Sequence, residues 1–171
     1  MRVLAEVALI GLCLSGCGGG TTDDDQARGR TTLSDGGHPD AADCWRTFEV
    51  PTAFEFDAPC SMTGGPLQGV DSLVGNYSAD GIVMYYDYGS FSSPLTEWNG
   101  HDEYARKATV VDGRAAEIVT ARDPADALGF LAGLVIPQAR GESVRLTLYA
   151  NASDATRRDL VVRIFETVTF P

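Results

Sequence analysis

Two histidines are available for proton transfer, His38 and His101. His101 is followed by Asp102 and Glu103 and preceded by Ser90, Ser92 and Ser93. Nucleophile, base and orienting carboxylate, the residue types of a serine hydrolase, are thus all present in one stretch. Adjacent residues on a chain rarely aim at one proton, however, and there is no Gly-x-Ser-x-Gly elbow. Paired carboxylates for glycoside cleavage are no better marked, because Asp and Glu are scattered at turns, where their side chains are expected anyway. No glycine-rich loop carries the lysine of a phosphate site, and there is no dinucleotide fingerprint. The acidic run Asp23-Asp24-Asp25, with His38, Asp40 and Asp43, has metal-ligating types, but nothing in that polar stretch fixes them in one coordination shell. No catalytic, cofactor-binding or metal-binding residue is assigned. A hydrolase using carboxylates or His101 stands as the rival reading.

A second constellation is aromatic and acidic: Tyr85, Asp87, Trp98, His101 and Tyr104, with Tyr88 and Phe91 nearby. Rings beside carboxylates can clasp a sugar, a cationic ligand or a partner's arginine. The plainer expectation is that these aromatics fill the core beneath a loop over residues 89–100. A shallow aromatic patch would speak for binding, and a deep pocket holding His101 and two carboxylates for catalysis.

Four cysteines suggest two disulfides, but their settings differ. Cys17 ends the tetrapeptide Leu14-Ser15-Gly16-Cys17, which follows an apolar run at 7–14 and the positive charge of Arg2. Glu6 marks the near edge of that run. The tetrapeptide resembles a bacterial lipobox, at which a cysteine receives acyl chains, palmitate among them, and the preceding peptide is removed. That resemblance implies a signal peptide at 1–16 and a membrane anchor at Cys17. Gly18 stands where an inner-membrane retention signal would place aspartate, so the outer membrane facing the periplasm is expected in a Gram-negative host. Residues 17–42 are polar, acidic and rich in glycine, the composition of a flexible tether. About 25 such residues give a root-mean-square reach of roughly 25–30 Å.

With Cys13 in the leader and Cys17 lipidated, Cys44 and Cys60 remain, in a segment nearly symmetric about Thr52. If the chain folds back at Pro51-Thr52, Val50 meets Phe54, Phe48 meets Phe56 and Cys44 meets Cys60. Both aromatic pairs then share the face from which the disulfide projects, and an oxidising compartment allows the bond.

The 171 residues carry a formal net charge of −11, and Arg2 and Glu6 cancel within the leader. Nucleic-acid binding, which needs clustered Lys and Arg, is not expected. Adsorption to anionic lipid is not expected either, which leaves membrane attachment to the anchor. Residues 43–171 suit a single domain with a true core. Within it, residues 61–71 are turn-rich. Strands at 72–77 and 82–88 flank a loop ending in Asp80-Gly81, with Ile82, Met84, Tyr86 and Tyr88 on the core face. Residues 94–103 suggest irregular chain or one helical turn. Asp112-Gly113 is a strong hairpin signal between strands at 104–111 and 114–120. Residues 128–136 read as a doubly buried strand, and 144–150 alternate, with Val144, Leu146, Leu148 and Ala150 inward.

A helix follows, capped by Ser153 or Asn151, with Leu160, Val161, Ile164 and Phe165 as its apolar stripe. The chain then alternates again through residues 167–170, a short strand expected at a sheet edge. The expected class is α+β: mostly antiparallel sheet built from hairpins, with a C-terminal helix packed on one face. This order of hairpins, late helix and short last strand, with the stretch Tyr86-Asp87-Tyr88-Gly89, resembles PsbP-like extracytoplasmic domains and bacterial lipoproteins. The resemblance implies assembly or stabilising work at a membrane and transfers no functional residue. The expected role is non-enzymatic binding of a small ligand or an envelope protein.

Overall fold

A computed structural model of the protein describes residues 44–171. Cys17, expected to carry lipid, the expected leader and tether, and the acidic residues and His38 between 23 and 43 lie outside the described residues. Described chain order is β1 (Trp45–Val50), β2 (Phe54–Pro59), β3 (Thr63–Leu67), β4 (Leu73–Ala79), β5 (Ile82–Gly89), a 3-10 turn (Thr96–Gly100), β6 (Asp102–Val111), β7 (Arg114–Arg122), β8 (Phe130–Arg140), β9 (Val144–Ala152) and α1 (Ala155–Phe165). The architecture is mostly antiparallel sheet with one C-terminal helix, in keeping with the α+β class.

The first hairpin follows its sequence symmetry. Val50 pairs with Phe54 and Phe48 with Phe56, and Cys44 is bonded to Cys60 with their Cα atoms 5.4 Å apart. The turn takes three residues rather than two, with Thr52 at φ 66° and Ala53 donating its N–H to the Val50 carbonyl. β1 and β2 form a sheet of their own, and the other seven strands form the second in the order β3-β4-β5-β9-β8-β7-β6. Asp112 and Gly113 both take positive φ, 47° and 72°, the geometry that a two-residue hairpin of this twist requires.

One face of the large sheet carries the main core. Ile82, Met84, Tyr86 and Tyr88 of β5 and Leu146, Leu148 and Ala150 of β9 are buried there, with Val161, Ile164 and Phe165 of α1. The β1–β2 hairpin covers the rest of this face, with Phe54 edge-on to Tyr86 at 5.5 Å and Phe56 edge-on to Tyr77 at 5.2 Å. Each such ring removed from water contributes about 1.5–3 kcal/mol.

Four expectations need correction in detail. Residues 63–67 are a strand, not turns: Gly64-Gly65-Pro66 pairs with β4 as the sheet edge, a place where proline costs no ladder bond. Asp154, rather than Ser153 or Asn151, caps α1 by accepting the Arg157 N–H at 2.8 Å. That bond and the Arg157 guanidinium hold its carboxyl below the usual range. β8 runs on to Arg140 through an irregularity after Ile136. The terminal segment meets an edge, but that of the small sheet, through mutual backbone bonds between Thr169 and Glu55 at 2.9 Å.

Candidate functional site

β5 and β9 are direct neighbours, so strand alternation decides what their second face displays. Facing away from α1, β5 presents Val83, Tyr85 and Asp87, all half-buried. Beside them β9 presents Arg145, Thr147, Tyr149 and Asn151, because Tyr85 pairs with Tyr149 and Asp87 with Thr147. The Tyr85 and Tyr149 rings stack, with centroids 5.1 Å apart and planes 21° from parallel.

Residues 90–101 cross this face as a strap and bury its far side. Leu95 and Trp98 join Val119, Ala121, Leu131 and Val135 in a small second core, with Tyr104 and Tyr149 packed against it. Gly133 is the seat: a β-carbon there would collide with the Leu95 side chain and crowd the Trp98 ring. Polar bonds fix the strap from below. Thr147 Oγ1 donates to the Ser93 carbonyl at 2.6 Å, and Arg106 Nη2 to that of Pro94 at 2.6 Å. Arg145 Nη1 donates to the Ser92 carbonyl.

The sequence candidates therefore divide. Trp98 is 9% exposed and Tyr104 half-buried; both serve the small core, as the plainer expectation had it. Tyr104 accepts a bond from Arg106 Nε at 3.0 Å through its hydroxyl. His101 lies at the strap's end, its N–H on the Trp98 carbonyl at 2.9 Å. Tyr88 belongs to the opposite face, and Phe91 is 82% exposed at the strap's start. Tyr85 and Asp87 remain together on this face, half-buried beside Tyr149.

Two members were missed by sequence reasoning, Tyr149 and Glu97. The alternation of residues 144–150 already placed Tyr149 away from the core; what was missing was the pairing of β9 with β5. Glu97 sits on the strap, where its carboxylate accepts the Ser93 hydroxyl at 2.8 Å. Burial pushes the Tyr149 hydroxyl up, and Tyr85, Asp87 and Glu97 push it further. Asp87 Oδ1 is buried with no hydrogen-bond partner, an arrangement that costs a carboxylate more than a neutral group.

The hollows beside α1, beneath the C-terminus and around Gly69 and Val144 are lined by other residues than Tyr85, Asp87, Trp98 and His101. Tyr85, Asp87 and Tyr149 are each half-buried. Ser92 Oγ bonds to the Gly89 and Arg145 carbonyls and Ser93 Oγ to Glu97, so neither hydroxyl is engaged by His101. No family model, curated protein or solved structure matches this chain. The site is read from its own geometry.

Proposed function

We propose that this is an envelope lipoprotein, anchored through Cys17, that holds a ligand or partner protein on the Tyr85–Tyr149 platform without chemical turnover. In a Gram-negative host it faces the periplasm from the outer membrane, and its strand-and-late-helix order fits the assembly role that PsbP-like domains suggest. One observation supports the binding role above the others. A stacked tyrosine pair stands beside Asp87, a half-buried carboxylate whose inner oxygen has no donor among the described residues. Interiors normally satisfy such groups, and an exception asks for a water, an ion or a binding partner.

The anchor and the platform are tested separately. Labelled palmitate is expected in the full chain and not in Cys17→Ser, which moves to the soluble fraction. A photo-crosslinking amino acid at position 76, opposite Tyr85 on β4, is expected in native membranes to trap a discrete adduct, while the same group at Lys107 on the edge strand β6 traps none. Equal trapping at both positions contradicts the platform.

A further inference from the structure

The Tyr85–Tyr149 platform, if it binds as proposed, has an identifiable chemistry. Elsewhere four rings of the described residues carry one of the chain's own arginines, although Phe91, 82% exposed, does not. Arg114 lies 4.0 Å from the Phe170 centroid, Arg46 4.5 Å from Phe48, Arg122 4.6 Å from Phe130 and Arg163 5.3 Å from Trp45. Among the described residues, no arginine lies over Tyr85 or Tyr149, although theirs is the ring pair beside carboxylates. The neighbouring cations are already committed. Arg106 is paired with Glu117 at 2.5 Å and bonded to the Pro94 carbonyl. Arg145, diagonal to Asp87 across β5 and β9, turns its Nη1 to the Ser92 carbonyl, forms no ion pair with Asp87 and leaves its own Nε without an acceptor.

We infer that the platform receives an arginine side chain of a partner protein, its guanidinium lying on the outer face of the Tyr85 ring, which Tyr149 backs from the other side, and donating to the Asp87 carboxylate. Charge complementarity argues for a cation: Asp87 and Glu97 are both acidic, and among the described residues neither forms an ion pair. Planarity argues for guanidinium over ammonium, because it stacks flat on an aromatic face while its N–H groups stay in the plane to reach a carboxylate. A sugar would use the rings but would not need the charge of Asp87.

The test uses the full lipidated chain in detergent micelles, followed by amide NMR shifts of Tyr85, Asp87 and Tyr149. The probe is a blocked pentapeptide with arginine between glycines; lysine and citrulline versions, free arginine and maltose are the comparison arms. The arginine peptide is expected to give saturable shifts, at least ten-fold tighter than lysine or citrulline and no weaker than free arginine. Asp87→Asn is expected to weaken it at least ten-fold with an unchanged melting curve, and Tyr85→Ala similarly. Citrulline or lysine binding as tightly as arginine overturns the guanidinium assignment. Free arginine binding ten-fold more tightly than the peptide overturns the partner-protein source, and saturable shifts from maltose alone overturn the cation. Absence of saturable shifts with the arginine peptide overturns the inference outright. An adduct still trapped undiminished from position 76 in Asp87→Asn leaves the binding platform standing while this inference falls.

Discussion

The two faces of the seven-stranded sheet are made by the same strands through the same alternation, yet they are finished differently. Toward α1 and the β1–β2 hairpin, β5 and β9 offer Ile82, Met84, Tyr86, Leu146, Leu148 and Ala150, all buried by other apolar groups. Toward the strap, the same two strands offer Tyr85, Asp87, Thr147 and Tyr149, three of them half-buried. The first face is closed by elements from both ends of the domain. The second is closed over β7, β8 and β9 by a twelve-residue strap (90–101), and Tyr85 and Asp87 of β5 stay half-buried beside it. The contrast separates a stability surface from a recognition surface, and graded substitutions can break or sharpen it.

The largest effect is expected on the helix side. Phe165→Ala leaves a cavity where α1 meets the sheet and should cost about 3–5 kcal/mol in urea or thermal unfolding. Opening the Cys44–Cys60 bond by paired serines should cost about 3 kcal/mol for a loop of this length, and the β1–β2 hairpin should then lose amide protection first. On the strap side, Gly133→Ala should cost about 1–3 kcal/mol by pushing Leu95 from its seat. Its signature is a changed Trp98 environment with α1 still protected from exchange. If instead α1 loses protection in Gly133→Ala, the two faces are not independent.

The smallest effect concerns Tyr86, whose hydroxyl is buried in the main core without a partner. Burial, aided by Tyr77, pushes its pKa up to about 12. In the unfolded chain the group loses its proton near 10, so between about pH 10 and 12 the folded state binds more protons and stability falls as pH rises. Tyr86→Phe removes an unsatisfied hydroxyl. It should be neutral or more stable by up to about 1 kcal/mol at neutral pH, with a shallower loss of stability above pH 10 in alkaline melts.

Much of the fold was legible in the sequence because local signals were sufficient. The symmetric run between Cys44 and Cys60 specified its register, Asp112-Gly113 supplied the two positive φ values of a tight hairpin, and the alternation of 82–88 and 144–150 assigned inward side chains. Residues 63–67 escaped notice because Gly64-Gly65-Pro66 has no β propensity, and its strand exists through pairing with β4. The candidate site was only half legible for a similar reason. Tyr85 and Asp87 lie two apart on one strand, but Tyr149 reaches them from 64 residues later through the β5–β9 pairing. No local pattern announces that non-consecutive neighbour. Trp98 belongs to the small core because Gly133 leaves room for it and for Leu95, a fact of packing rather than of spacing.

The division of labour between the faces is tested most directly by measuring, on Tyr85→Ala in native membranes, the yield of the complex trapped by chemical crosslinking per folded molecule. The account predicts at least a ten-fold loss of that yield, with a melting midpoint within a few degrees of the parent, since one stacked ring pair is worth only about 0.5–1.5 kcal/mol. A collapsed midpoint with undiminished yield from the molecules that remain folded would contradict it.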